Sequence, residues 1–168
     1  NYLVGDFYCP ALTNIGTSAF NRAKITSFRA PKLSGIGRFA CSMCQSISNV
    51  VVRGGGVFGE QSLYGVKVDS PIINVLGPAP ISLGANAIYA TSGYDYPQVR
   101  VARSKYLEDW KNLDGITFIP FETAKEDKIY AKYLGTTPED KTLGLITGKG
   151  TFWLVDDDTT KQTIFTLR

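Results

Sequence analysis

Between Phe7 and Gly59 the chain carries no acidic side chain. Arg22, Lys24, Arg29, Lys32, Arg38 and Arg53 give that stretch a formal charge of +6, while the 109 residues after it hold 12 basic and 14 acidic groups. The whole-chain charge of +3 therefore has its source in one segment. Pro10, Gly16, Pro31, Gly35 and Gly37 interrupt this segment too often for a long helix. Its apolar residues, among them Ile15, Phe20, Ile25, Phe28, Leu33, Ile36 and Phe39, keep neither a helical nor a strand period for long. A wholly disordered tail would seldom carry so many apolar anchors. Residues 1–46 are thus expected to form an extended basic arm lying against the body of the protein or against a partner.

At 168 residues, with 43% hydrophobic and 12% aromatic side chains, the remainder has enough apolar surface for one packed domain without a staple. That domain is expected over 47–168. No apolar run approaches the length of a transmembrane helix. The chain opens without Met and without a basic-then-apolar secretory signal, which reads as processing or a partial sequence. Three cysteines, Cys9, Cys41 and Cys44, cannot all pair within one chain, so a reducing compartment is the simplest reading, with one bridge plus a free thiol as the alternative. The stretch from Thr17 to Met43 is rich in Ser, Thr, Ala and Arg and has no acid. In that composition it resembles a plastid or mitochondrial transit peptide, which implies an organellar origin.

Within the body, β-branched runs predict strands at 47–53, 64–68, 72–76, 87–91 and 98–102, separated by Gly, Pro and Asp clusters. Leu107, Trp110 and Leu113 recur at helical spacing behind Ser104, which predicts a helix at about 104–114. Thr123 and Glu126 make a capping box ahead of Ile129, Tyr130 and Leu134, which predicts a second helix at about 123–134. Further strands are expected at 116–121, 143–147, 151–155 and 162–167. No internal repeat of 20 to 50 residues stands out. The expected fold is α+β and strand-rich, with a mainly antiparallel sheet and two short helices.

Histidine is absent. That removes the commonest general base and metal ligand, so a Ser-His-Asp or Cys-His arrangement cannot exist here. Gly54, Gly56 and Gly59 spell the spacing of a dinucleotide loop directly after a strand. The few residues before Gly65 are too short for the helix such a loop must open. The run Gly144 to Thr151 resembles a phosphate-binding loop only loosely: Leu143 holds the place of the first glycine and Gly150 follows Lys149. Cys41 and Cys44 form a CxxC, a candidate reactive thiol pair or prosthetic-group attachment site. Three thiolates without histidine fall short of a zinc set, so no metal site is expected. The run Asp156 to Asp158 lacks the alternation and glycine of a calcium loop. Glu108-Asp109 and Glu126-Asp127 sit beside lysines as solvated charge. No catalytic residue and no cofactor is expected.

These features predict a non-enzymatic structural or linker subunit of a large assembly, such as an organellar or photosynthetic antenna linker, or a virion or filament subunit. Its partner-binding residues would be Arg22, Lys24, Phe28, Arg29, Lys32, Arg38 and Phe39, docking on acidic surfaces of neighbouring protein subunits. The alternatives are a nucleic-acid-binding protein that stacks bases on the aromatic residues of the arm, and a small histidine-free enzyme using carboxylates or Lys.

Overall fold

A computed structural model describes residues 3–66, 72–90, 97–113, 117–118, 145–147 and 150–156. In chain order the strands are β1 (Val4–Tyr8), β2 (Asn14–Ile15), β3 (Lys24–Ala30), β4 (Gly35–Ile36), β5 (Asn49–Val52), β6 (Val57–Phe58) and β7 (Leu63–Val66). They continue as β8 (Ile72–Val75), β9 (Ser82–Leu83), β10 (Ile88–Ala90), β11 (Gln98–Val101), β12 (Thr117–Phe118), β13 (Leu145–Thr147) and β14 (Gly150–Asp156). A 3-10 turn at Ser104–Tyr106 leads into the single described helix, α1 (Leu107–Lys111).

The strands stack as a β-solenoid with three faces. β1, β3, β5, β8, β11 and the end of β14 pair in parallel as the first face. β2, β4, β6 and β9 form the second, again in parallel. β7, β10 and the start of β14 form the third. Each coil visits the faces in that order, so residues about one coil apart lie on top of one another. Register makes the core a set of columns. Phe28, Val50, Ile73, Val99 and Leu154 align on the first face, and Ala30, Val52, Val75 and Val101 form a second column beside them. Ile15, Ile36, Phe58 and Leu83 align on the second face. All are buried. Strand alternation explains the sorting: β5 and β8 both bury every second residue, as the pleat of a strand requires.

The corner between the second and third faces repeats almost residue for residue. Gly16, Gly37, Gly59 and Gly84 each accept a hydrogen bond at their carbonyl from the amide three residues on, that of Ala19, Ala40, Ser62 and Ala87. The third residue of each turn, Ser18, Phe39, Gln61 or Asn86, has φ between 49° and 56°, the mark of a type II turn. The corners also bond to one another: Ser18 N–H donates to Arg38, Phe39 to Glu60 and Gln61 to Ala85. Backbone groups that a corner would strand are thereby paired to the next coil. Coil stacking makes glycine necessary. A Cβ on Gly37 would lie 2.7 Å from the Gly16 carbonyl carbon, and one on Gly84 would lie 2.6 Å from that of Gly59.

Several expectations are corrected. The sheets that build the coils are parallel, not mainly antiparallel; among the described residues only β12 with β13 and β13 with β14 pair antiparallel. Period-two alternation reports a pleated strand but not its partner's direction. The helix expected at about 104–114 is one short helix of five residues. The one expected at about 123–134 lies outside the described residues, as does the strand at 162–167. Residues 3–46, expected as an extended arm, are the first two coils: Ile25, Phe28 and Leu33 within them are at most 1% exposed. A repeat is present as well. Its period drifts from 21 to 25 residues along the glycine column, and that drift hides it from a fixed-period search.

At the far end Leu107 and Trp110 of α1 are buried, and the Trp110 ring meets Phe152 edge to face at 5.8 Å. The helix thus closes the apolar interior beneath β14.

Candidate functional site

Five of the six cations of the acid-free stretch lie on or at the ends of two neighbouring strands of the first face. Lys24 and Arg29 point outward from β3, Arg22 and Lys32 flank it, and Arg53 follows β5. All five are exposed. Alternation sends Ile25, Phe28 and Ala30 of the same strand inward, so the basic side chains are carried on a rigid, regularly spaced surface. Among the described residues no carboxylate pairs with any of the five. Arg29 instead lies 5.8 Å from the centre of the Tyr8 ring on the adjacent strand. Asp6 lies on β1, in register with Ser27 of β3. Hydrogen bonds from the Thr26 and Ser27 hydroxyls hold its carboxyl below the usual carboxylate range.

Arg38 stands apart. It lies in the glycine-column corner, where it pairs with Glu60 of the next coil at 2.9 Å and covers the Phe39 ring at 4.5 Å. Phe28 is 1% exposed in the core, which removes it from any partner surface. Phe39 is half-buried at a left-handed corner position. The expected partner-binding set is therefore divided: Arg22, Lys24, Arg29 and Lys32 are exposed along and beyond the two ends of β3, with Arg53 after the neighbouring β5, while Phe28 is in the core and Arg38 and Phe39 meet at a coil corner.

A groove of 590 Å³ opens between the first two coils next to this patch, lined by Arg22, Ala23, Lys24, Met43, Gln45 and Ser46. Cys44 is buried and lies between Met43 and Gln45 of this lining. Cys41 and Cys44 occupy the first and last places of a turn closed by the Cys44 N–H bond to the Cys41 carbonyl. Both are free thiols and both are buried. Cys44 Sγ donates to the Phe20 carbonyl at 2.9 Å. Donating to Cys44, together with burial, pushes the Cys41 thiol well up. Accepting that bond draws Cys44 down; burial opposes this, and the Ala23 amide adds to it. Cys44 is thus the more acidic of the pair. Cys9 is half-buried.

The other motifs resolve into structure. Gly54 has φ +79° at the corner after β5, and a Cβ there would sit 2.7 Å from Val75 Cγ1. Gly56 and Gly59 continue into the next coil corner, so the dinucleotide-like spacing is solenoid geometry. Leu145–Thr147 and the strand from Gly150 form an antiparallel pair, not a strand leading to a helix. Glu108 bonds to Lys111 at 2.5 Å on the surface of α1. Among the described residues no three His, Cys, Asp or Glu side chains gather as metal ligands, and no helix is long and apolar enough to cross a membrane.

The clustering of the basic patch was not legible from spacing, because it depends on which strands stack. The apolar-Gly pairs Ile15-Gly16, Ile36-Gly37, Phe58-Gly59 and Leu83-Gly84 were the signal that could have revealed the coils. Comparison with family models, curated proteins and solved structures finds no match.

Proposed function

We propose that this chain is a non-enzymatic structural subunit of a large assembly, its first coils docking on an acidic surface of a neighbouring protein. The observation that carries this reading is the set of exposed cations Arg22, Lys24, Arg29, Lys32 and Arg53, unpaired among the described residues and carried on or beside the stacked parallel strands β3 and β5. A surface of that kind supplies long-range attraction and register to an anionic partner. A solenoid suits a spacer or filament element, because each coil contacts only its neighbours and the fold extends along one axis.

Nucleic acid is the weaker reading. Tyr8 is exposed beside Arg29, but Phe20 packs against Phe7 and Phe28 with ring centres 5.6 and 5.5 Å apart, and Phe39 lies under Arg38, so the phenylalanines near the cations are engaged within the protein. Base stacking would need them free.

Cross-linking of the native complex through lysines, followed by mass spectrometry, tests the proposal. Lys24 and Lys32 are expected to link to lysines bordering an acidic patch of another subunit, with the links disappearing as salt is raised. A native chain that runs as a free monomer, with no intermolecular link at either lysine, would overturn it.

A further inference from the structure

We propose that Cys41 and Cys44 are a reversible dithiol–disulfide pair, oxidised through the basic groove above them. The inference is independent of the docking role. Its first support is backbone geometry. The hydrogen bond from Cys44 N–H to the Cys41 carbonyl closes a turn with Met43, at φ 58°, in its third place. Such a turn holds its end Cα atoms within about 7 Å, the range over which a disulfide closes. Both side chains are buried at the two ends of that turn. The second support is the division of roles between the thiols. Cys44, the more acidic, lies between Met43 and Gln45 of the groove lining, while Cys41 lies further from that lining along the chain. That is the arrangement of an attacking and a resolving thiol. The third is the groove itself, whose rim carries Arg22 and Lys24. These favour the thiolate and attract an anionic disulfide.

With glutathione disulfide as the oxidant, the Cys44 thiolate attacks one glutathione sulfur and displaces glutathione thiolate, leaving a mixed disulfide on Cys44. Cys41 gives up its proton, its sulfur attacks Cys44 Sγ, and the second glutathione leaves. The pair loses two electrons and two protons, and one glutathione disulfide becomes two glutathiones. The product lacks the Cys44 bond to Phe20 and ties the corner of the second coil to itself.

The test equilibrates the full-length chain in glutathione buffers of graded ratio, quenches by alkylation and maps the cysteines by peptide mass. Cys41 and Cys44 are expected to pass together from two alkylated thiols to one bridged peptide, and to return when reduced glutathione is in excess. Oxidation by glutathione disulfide should slow by about tenfold at low ionic strength in the double variant Arg22→Gln, Lys24→Gln, whereas oxidation by uncharged hydroxyethyl disulfide should not change. Cys9→Ser should bridge as the wild type does. A bridge to Cys9, a persistent glutathione adduct on either residue, or two alkylated thiols at every ratio would each overturn the pair. Equal slowing with both oxidants would overturn the role of the groove.

Discussion

Gly59 and Gln61 stand two residues apart in the same corner, and stacking makes opposite demands on them. A Cβ on Gly59 would come within 2.7 Å of the Arg38 amide nitrogen and 2.9 Å of the Gly37 carbonyl carbon. Gly59→Ala must push two coils apart, and its expected cost is about 1–3 kcal/mol. Gln61 holds φ at 50°, a conformation costing an L-residue roughly 1–2 kcal/mol. Gln61→Gly relieves that strain, and about 0.5–1 kcal/mol is lost again to the freedom of unfolded glycine. Urea midpoints should fall for the first variant and hold or rise for the second; the same sign for both would contradict the stacked-turn account. Asp6 supplies a pH dependence. Its folded-state pKa lies below the ordinary carboxylate value because Thr26 and Ser27 bond to the charged form. Its stabilising contribution is therefore complete above the ordinary carboxylate pKa and is lost as pH falls through the lowered one. The difference in thermal midpoint between the wild type and Asp6→Asn should be greatest near neutrality and close in acid.

Among the elements, the strands with β-branched runs were legible where they occur. Val50–Val52, Ile72–Val75 and Gln98–Val101 fall within predicted strands because alternation of buried and exposed residues is a local property. β2, β4, β6 and β9 were not legible. Each has two residues, too few to show a period, and each exists only because the coil beneath offers it hydrogen bonds. The helix near 104–114 was legible in kind but not in extent: it has five residues, with Tyr106 at its start making no side-chain cap. What fixes α1 is Trp110, fully buried against Phe152. Trp110→Ala should cost about 3–5 kcal/mol and raise amide exchange in β14 more than in β5. Trp110→Phe should cost less, since it keeps a ring against Phe152 and removes an indole N–H that finds no acceptor among the described residues. Uniform exchange along the coils in the alanine variant would show that α1 does not seal this end.

Over the whole molecule, stability in a solenoid is a sum of coil and interface terms, so a surface change on the first coils should leave the far coils untouched. Lys24→Glu with Arg29→Glu replaces exposed cations that no carboxylate pairs among the described residues. The thermal midpoint is expected to stay near that of the wild type, since exposed charges contribute only about 0–1 kcal/mol each. Retention on an acidic protein partner, and the salt dependence of that retention, should both be lost. Retention unchanged by the charge reversal would remove the basic face as a docking surface, whatever the assembly proves to be.

The sequence by itself determined the charge asymmetry, the absence of histidine chemistry and the pleated segments, because each is a property of single residues or of a few neighbours. Strand direction, the joining of short segments into coils, the need for glycine where one coil corner meets the next and the placing of five cations on or beside two neighbouring strands were decided by tertiary structure. Parallel stacking pairs residues 20 to 26 positions apart from β1 to β11, and 55 or 62 apart where β14 joins, and its hydrogen bonds are made by backbone groups that every residue shares. The side chains encode which positions face inward, and only the closed coil determines what lies above and below them.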